Sequence, residues 1–489
     1  MNNENIPQNN ESKLNQINLD QNQPGATLET EDKIINQKGE NKDGELPQST
    51  VAIYKDQDEA NKPKIKKSSI FGSTFMITNI CLGTTIFTFA NRAKSFGLVW
   101  LLVFCVVVAA VNYWSIMRCV YASSKCKEDD FSEITEKLLG KRMRDLLNFI
   151  IIIYSYASLM CFIALIFALF GRFIHGAFFK DDYVDYDAFY DGKWGKSYVK
   201  YPFYIGLAFM LSLICLIKDI NKLNFSAYIG VVACLYALLV VTIECNSYYN
   251  HYKDTVYQED NDDTHPNWIN LGDAFQKDLI FFKGIANLIF AYACQSGIFP
   301  IYAGFKIQEN GLKKMRISAV LGMALTTALH FISIICGFLT DPITPEDLII
   351  YRKNKGNGKD IAMIIARLFV SFSLIFTVPG YYFPLRLSVI NIFTGGKLGN
   401  LFNVLFTFIS LFCCSIISAV YDKILNYLNY IGFISVFISF LFPALIYVYS
   451  SGEKVTYWKN ILHITLAVIM CIIGLVAGIA TVIDDVKGN

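Results

Sequence analysis

The sequence predicts an all-α polytopic membrane protein of eleven spans, and three observations carry that prediction. The chain has 489 residues, of which 54% are hydrophobic and only 17% charged, and the charges arrive in clumps between long apolar runs. A soluble chain of this length would carry about 25% charge, spread over several domains. Eleven apolar runs are near the length a helix needs to cross a bilayer: 69–90, 96–122, 145–174, 201–218, 223–245, 278–303, 316–340, 361–384, 398–420, 424–450 and 459–483. Basic residues gather in alternate connections, as the topology of such a protein requires.

Met1 to Lys67 is rich in Asn, Gln, Glu, Lys and Asp and poor in large apolar residues, so residues 1–67 are predicted to be a disordered tail. It has neither the apolar core of a signal peptide nor an Arg-rich presequence. It ends in Lys62-Pro63-Lys64-Ile65-Lys66-Lys67 directly before the first span, which places the N-terminus in the cytosol. The membrane domain occupies 68–484 and a short C-terminal tail 485–489. Loop 123–144 is basic and falls inside, as do Lys218 to Lys222, Lys306 to Arg316, Arg386 to Lys397 and Glu453 to Lys459. Loops 180–195 and 253–278 are dominated by Asp and fall outside. Loop 341–360 runs against the pattern, since it counts as outside yet carries Arg352, Lys353, Lys355 and Lys359. An odd number of spans leaves the C-terminus extracytosolic; a plasma membrane and an internal vesicle or vacuole membrane fit equally. Glu128 to Arg142 has apolar residues at helical spacing, predicting a short amphipathic helix that ends at Gly140.

The first span is interrupted. Thr78-Asn79-Ile80-Cys81-Leu82-Gly83-Thr84-Thr85 puts hydroxyls and a glycine near mid-depth, where a polar group without a partner is costly. Two readings stand open: a seam of small residues that lets helices approach, or a helix that opens and frees backbone groups for a ligand. The sixth span repeats the pattern with Cys294-Gln295-Ser296-Gly297-Ile298-Phe299-Pro300. Interrupted spans five apart are what an inverted five-plus-five repeat with broken helices 1 and 6 predicts, the eleventh helix being extra. In the eighth span Ser373 and Thr377 lie four apart on one face, either bonded back to their own helix or aimed at a ligand.

Several functions find no support. Net charge is +2 and no nucleic-acid patch is visible. No nucleophile elbow, phosphate loop, HExxH or catalytic carboxylate pair occurs, so an enzyme is not predicted. No repeated filter or charged ring suggests a channel. The thirteen Cys lie mostly inside apolar runs and form no metal spacing or disulfide framework. No Asp or Glu occupies the apolar centre of any span, which points to coupling through hydroxyls and carbonyls, suited to a hard cation such as sodium, or to no coupling.

Three segments resemble the amino acid/auxin permease family, in particular its sodium-coupled neutral amino acid transporters. They are Ser73-x-x-x-x-Thr78-Asn79-x-x-x-Gly83-Thr84-x-Ile86; Cys294 with Pro300-Ile301-Tyr302; and Arg367-Leu368 followed by Thr377-Val378-Pro379 and Phe383-Pro384-x-Arg386. The resemblance implies a LeuT-type fold and amino acid transport, with Asn79 and a hydroxyl of the eighth span at a cation site. The broken first helix would hold the substrate's α-amino and α-carboxylate groups. The chain departs from that pattern at Thr85, where a second small residue is usual, at Gln295, which replaces a titratable His, and at Ile375, where a hydroxyl is expected.

The expectation is therefore a secondary transporter, a symporter if sodium is the coupling ion, moving a small neutral amino acid by alternating access. The substrate would touch Thr78, Gly83, Thr84, Thr85, Gln295, Ser296 and Gly297, and the cation Asn79, Ser373 and Thr377. No resident cofactor is expected; the partners are the amino acid and the lipid bilayer. A non-transporting amino-acid sensor or accessory subunit of the same fold is the alternative.

Overall fold

A computed structural model describes residues 67–487 except 84, 180–185, 217–219, 257–265, 273–274, 276–279, 343–346, 353–359, 394–398 and 422–423. The described residues belong to one compact unit; the predicted tail, residues 1–67, lies outside them but for Lys67. All regular structure among the described residues is helical.

The first predicted span is two short helices. α1 (Ile70–Leu82) starts at Ser69, whose Oγ accepts from the Gly72 N–H at 3.0 Å, and stops at Gly83. A single 3₁₀ turn, Thr85–Phe87, leads to α2 (Phe89–Phe96). The next elements are α3 (Leu98–Cys126), α4 (Phe131–Leu139), α5 (Lys141–Phe178), α6 (Ser197–Cys215) and α7 (Ile220–Val256). The sixth span is split into α8 (Ile280–Ala291) and α9 (Gln295–Lys306). α10 (Gly311–Thr340), α11 (Ile361–Phe393) and α12 (Asn400–Val420) follow. α13 (Ile424–Val436) and α14 (Phe442–Ser450) are joined through a π-turn, and α15 (Trp458–Lys487) completes the chain. Ten helices among the described residues are long and apolar enough to cross a membrane, counting α8–α9 and α13–α14 once each; α1 and α2 are too short to be among them.

α5 packs along α11, α1 along α10, and α8 along α13. The split sixth span is the most buried of the ten, and α6 and α12 are among the least. Small residues set these close approaches. A Cβ on Gly322 of α10 would lie 2.8 Å from Ile77 Cγ2 of α1, and one on Gly432 of α13 would lie 2.9 Å from the Ala286 backbone of α8.

The amphipathic helix forms as α4. Asp130 caps it, accepting from the N–H groups of Ser132 (2.8 Å) and Glu133 (3.2 Å), and Gly140 ends it at φ +86°. Its apolar face is covered: the Phe131 ring lies 4.9 Å from Phe299 and 6.4 Å from Phe442. Part of the acidic stretch 180–195, read as a loop, is helical over Tyr186–Trp194, where Trp194 packs on Phe167 at 5.1 Å. All thirteen Cys are free thiols, most of them buried, as expected of small apolar residues.

Of the basic residues in loop 341–360, Arg352 is described. Arg352 is buried and pairs with Glu244 of α7 and with Asp360 at 3.0 Å, so its charge is neutralised within the protein. Burial pulls its guanidinium down to about 10 while Asp360 acts the other way. Lys353, Lys355 and Lys359 lie outside the described residues.

Candidate functional site

The two interruptions meet. Cys81 at the end of α1 donates its thiol to the Tyr292 carbonyl in the α8–α9 break at 3.7 Å. A Cβ on Gly297, in the first turn of α9, would stand 2.6 Å from Ile80 Cδ1, so a larger residue there would require the Ile80 side chain to move. The α1 break depends on Gly83, whose φ of +32° and ψ of −154° are sparsely open to L side chains. A cavity of about 360 Å³ opens beside the breaks. That size falls among small-molecule sites.

Its walls draw on both breaks and on further helices. Asn79 and Gly83 come from the first break, Ala293, Ser296 and Gly297 from the second, and Tyr154 and Tyr381 from α5 and α11. Pro300, Pro379 and Pro384 also line it. A helical proline offers no N–H to the carbonyl four residues earlier, so the carbonyls of Ser296, Ile375 and Gly380 lose that donor. The N-terminal turn of α9 presents N–H groups and the positive end of a helix dipole. The site can thus offer acceptors to a cation and donors to an anion. At its far end it reaches Asp129, Asp130 and Phe131 of the α4 region. Asp129 pairs there with Lys306, at the end of α9, at 2.8 Å. On the α2 side, Arg92 is buried and its Nη2 donates to Asn429 Oδ1 at 3.0 Å, joining α2 to α13.

Two of the three residues named for a cation draw near. A Cβ on Gly230 of α7 would lie 3.1 Å from both Asn79 Oδ1 and Ser373 Oγ, so the two oxygens converge on one point of the α7 backbone. Thr377 lines the same cavity, but its Oγ1 donates to the Ser373 carbonyl at 2.8 Å, the back-bonded arrangement. Of those named for substrate, Gly83, Ser296 and Gly297 line the cavity. Thr78, Thr85 and Gln295 do not. Thr78 is buried against α10 and donates to the Gly322 carbonyl at 3.3 Å. Thr85 is buried in the 3₁₀ turn, its hydroxyl without a partner. Gln295 turns to α3, where its Nε2 donates to Asn112 Oδ1 at 3.0 Å. Thr84 lies outside the described residues. Sequence reasoning missed Gly230, Tyr154, Tyr381 and the α4 region.

The Thr78 position separates packing from ligand contact. Thr78→Val should lower the melting temperature, consistent with loss of a hydrogen bond worth about 0.5–1.5 kcal/mol, and leave the KM for transport unchanged. A KM raised several-fold at unchanged stability would instead place Thr78 on the substrate.

The family model described as transmembrane amino acid transporter protein matches residues 66–484. The chain belongs to this family. The ten apolar helices among the described residues fit the integral membrane protein that this family implies. Among individual relatives, sodium-coupled neutral amino acid transporter 4 of Homo sapiens is 28% identical over 105 residues, covering 22% of this chain and 19% of the relative. The Mus musculus protein of the same name is 27% identical over 105 residues, with the same coverage. These matches span about a fifth of the relatives' length. Among solved structures, the chain is similar to Mhp1, a nucleobase-cation-symport-1 family transporter solved in a closed conformation with bromovinylhydantoin bound. The TM-score is 0.51 at 10% identity, covering 86% of this chain and 91% of that one. The chain's fold is therefore shared with a protein of another family at 10% sequence identity.

Proposed function

We propose that this family member moves a small neutral amino acid by alternating access, coupled to sodium, with the two broken helices related by an inverted five-plus-five repeat. The observation that carries this reading is the convergence of Asn79 Oδ1 and Ser373 Oγ beside Gly230, in a cavity that also holds both helix breaks. The substrate carboxylate would face the N-terminal turn of α9 at Ser296 and Gly297. Its ammonium would face the carbonyls where α1 ends, at Leu82 and Gly83. Sodium would sit near Asn79 and Ser373, with Thr377 rotating out of its helix bond to join them. Oxygen donors of this kind suit a hard cation. Ion and substrate would be linked by their shared preference for one conformation. The cavity runs to the α4 region, beside the loop whose basic residues read as cytosolic, which supports an inward-facing arrangement here.

The test is uptake of a labelled amino-acid mixture into proteoliposomes under a sodium gradient, a pH gradient or neither. Sodium-driven uptake is expected, and Asn79→Ala should remove the sodium dependence while the protein still reaches the membrane. Equal loss of expression and uptake in Asn79→Ala would assign Asn79 to folding. Binding of an amino acid without uptake would favour a sensor.

A further inference from the structure

Outside the residues that line the cavity, α3, α14 and the start of α15 enclose a cationic aromatic cluster that the proposed transport site does not include. The Arg118 guanidinium lies 5.0 Å from the Trp114 ring centre and 4.3 Å from that of Tyr447. His463 packs at 4.4 Å on Trp114 and 4.5 Å on Tyr447. It is 3% exposed, and neither ring nitrogen has a partner; Arg118 Nε has none either. No carboxylate among the described residues pairs with Arg118. The stretches 98–126, 442–450 and 458–483 contain no Asp or Glu, and the acids of α15, Asp484 and Asp485, lie at its opposite end from His463. A half-buried cation without a protein anion, in a span, marks a ligand or a lipid contact.

The surroundings choose the lipid. Trp114, Arg118, Tyr121 and Lys125 follow one another on a single face of α3 at helical spacing, ending in the basic connection. Toward the other end, the same face continues as Val99, Val103 and Val107, each 43–48% exposed. Lys125 leans over the Tyr121 ring at 5.8 Å, and Tyr121 packs on Tyr447 at 5.2 Å. Arg118 thus sits about 12 Å inside the α3 C-terminus. The order along the face is apolar stripe, Trp114, half-buried Arg118, Tyr121 and the rim cation Lys125. That order matches an acyl chain, a glycerol backbone and a phosphate.

We propose that an anionic phospholipid of the leaflet beside the basic loops binds here. Its phosphate accepts from Arg118, His463 Nε2–H or Nδ1–H donates a further hydrogen bond, Lys125 faces the headgroup, and an acyl chain lies along the valine stripe.

The test uses the purified full chain and native mass spectrometry with equal amounts of phosphatidylserine, phosphatidylcholine and diacylglycerol. The protein should retain phosphatidylserine several-fold over phosphatidylcholine and retain little diacylglycerol. Arg118→Gln should abolish that preference, and Lys141→Gln, a basic residue elsewhere on the same side, should keep it. An undiminished preference in Arg118→Gln would overturn the site. So would displacement of phosphatidylserine by millimolar inorganic phosphate, which would indicate a free-anion pocket. If Arg118→Gln fails to fold, tail-brominated phosphatidylserine decides. It should quench wild-type tryptophan fluorescence more than that of Trp114→Phe, by a larger margin than brominated phosphatidylcholine does, and equal margins would overturn the site.

Discussion

Replacing Gly230 by Val should abolish sodium-dependent uptake without removing the protein from the membrane. The first added carbon would stand 3.1 Å from both Asn79 Oδ1 and Ser373 Oγ. Two methyl groups beyond it would fill the point on which those oxygens converge. Gly230→Ala supplies the graded control. Alanine is favoured over glycine by about 1 kcal/mol inside a helix, so stability should hold or rise while sodium affinity falls. A tenfold loss corresponds to about 1.4 kcal/mol, which a shift of a few tenths of an ångström in two ligands can supply. Opposite movement of stability and sodium affinity is the signature sought, read by thermal unfolding and by uptake against sodium concentration. If Gly230→Val transports with wild-type sodium dependence, the cation is not between α1, α7 and α11.

Gly83→Ala should depress uptake at least tenfold at every sodium concentration. Nothing lies within 4 Å of the position a Cβ would take, so the substitution meets no steric obstacle. What it meets is backbone: φ is +32° with ψ at −154°, a region whose occupation costs an L residue about 1–3 kcal/mol. The chain can relieve this by straightening the break, which would return the freed carbonyls and N–H groups to helical bonds. Substrate affinity should therefore fall while the melting temperature changes little or rises. Measuring substrate binding by calorimetry beside a melting curve separates this from misfolding; unchanged binding would show that the break does not hold the substrate.

The interruptions were legible because they use residues with special backbone chemistry. Gly83 marks the first break, the second falls just before Gln295, at the start of the polar run that ends in Pro300 inside α9, and Ser69, Asp130 and Gly140 mark helix ends. Direction around a helix was harder. Thr78 and Asn79 are neighbours, but one residue turns the side chain by about 100°, enough to send Thr78 to Gly322 and Asn79 to the cavity. Gln295 reads as a ligand beside Ser296 and Gly297, yet Asn112 on α3 claims it, a partner 183 positions away that no local pattern reveals. Gly230 was silent for a related reason: a lone glycine in an apolar run reads as close packing, and only the folded chain brings two oxygens to it. Arg352 stood out as an exception to the charge pattern, and one of the acids that pair with it, Glu244, lies on α7, about a hundred positions away.

The attachment of α4 to α9 bears on speed rather than affinity. Phe131 is wedged between Phe299 and Phe442, and Asp129 holds Lys306, so α9 cannot swing under the proposed mechanism without dragging a surface helix with it. The wedge resists as repacked rings do, with an enthalpic barrier. The ion pair resists as a partly exposed charge does, and added salt weakens it. Turnover would then be throttled at the rim instead of at the buried breaks, and two solutions of equal sodium but different ionic strength would run the cycle at different rates with the same KM.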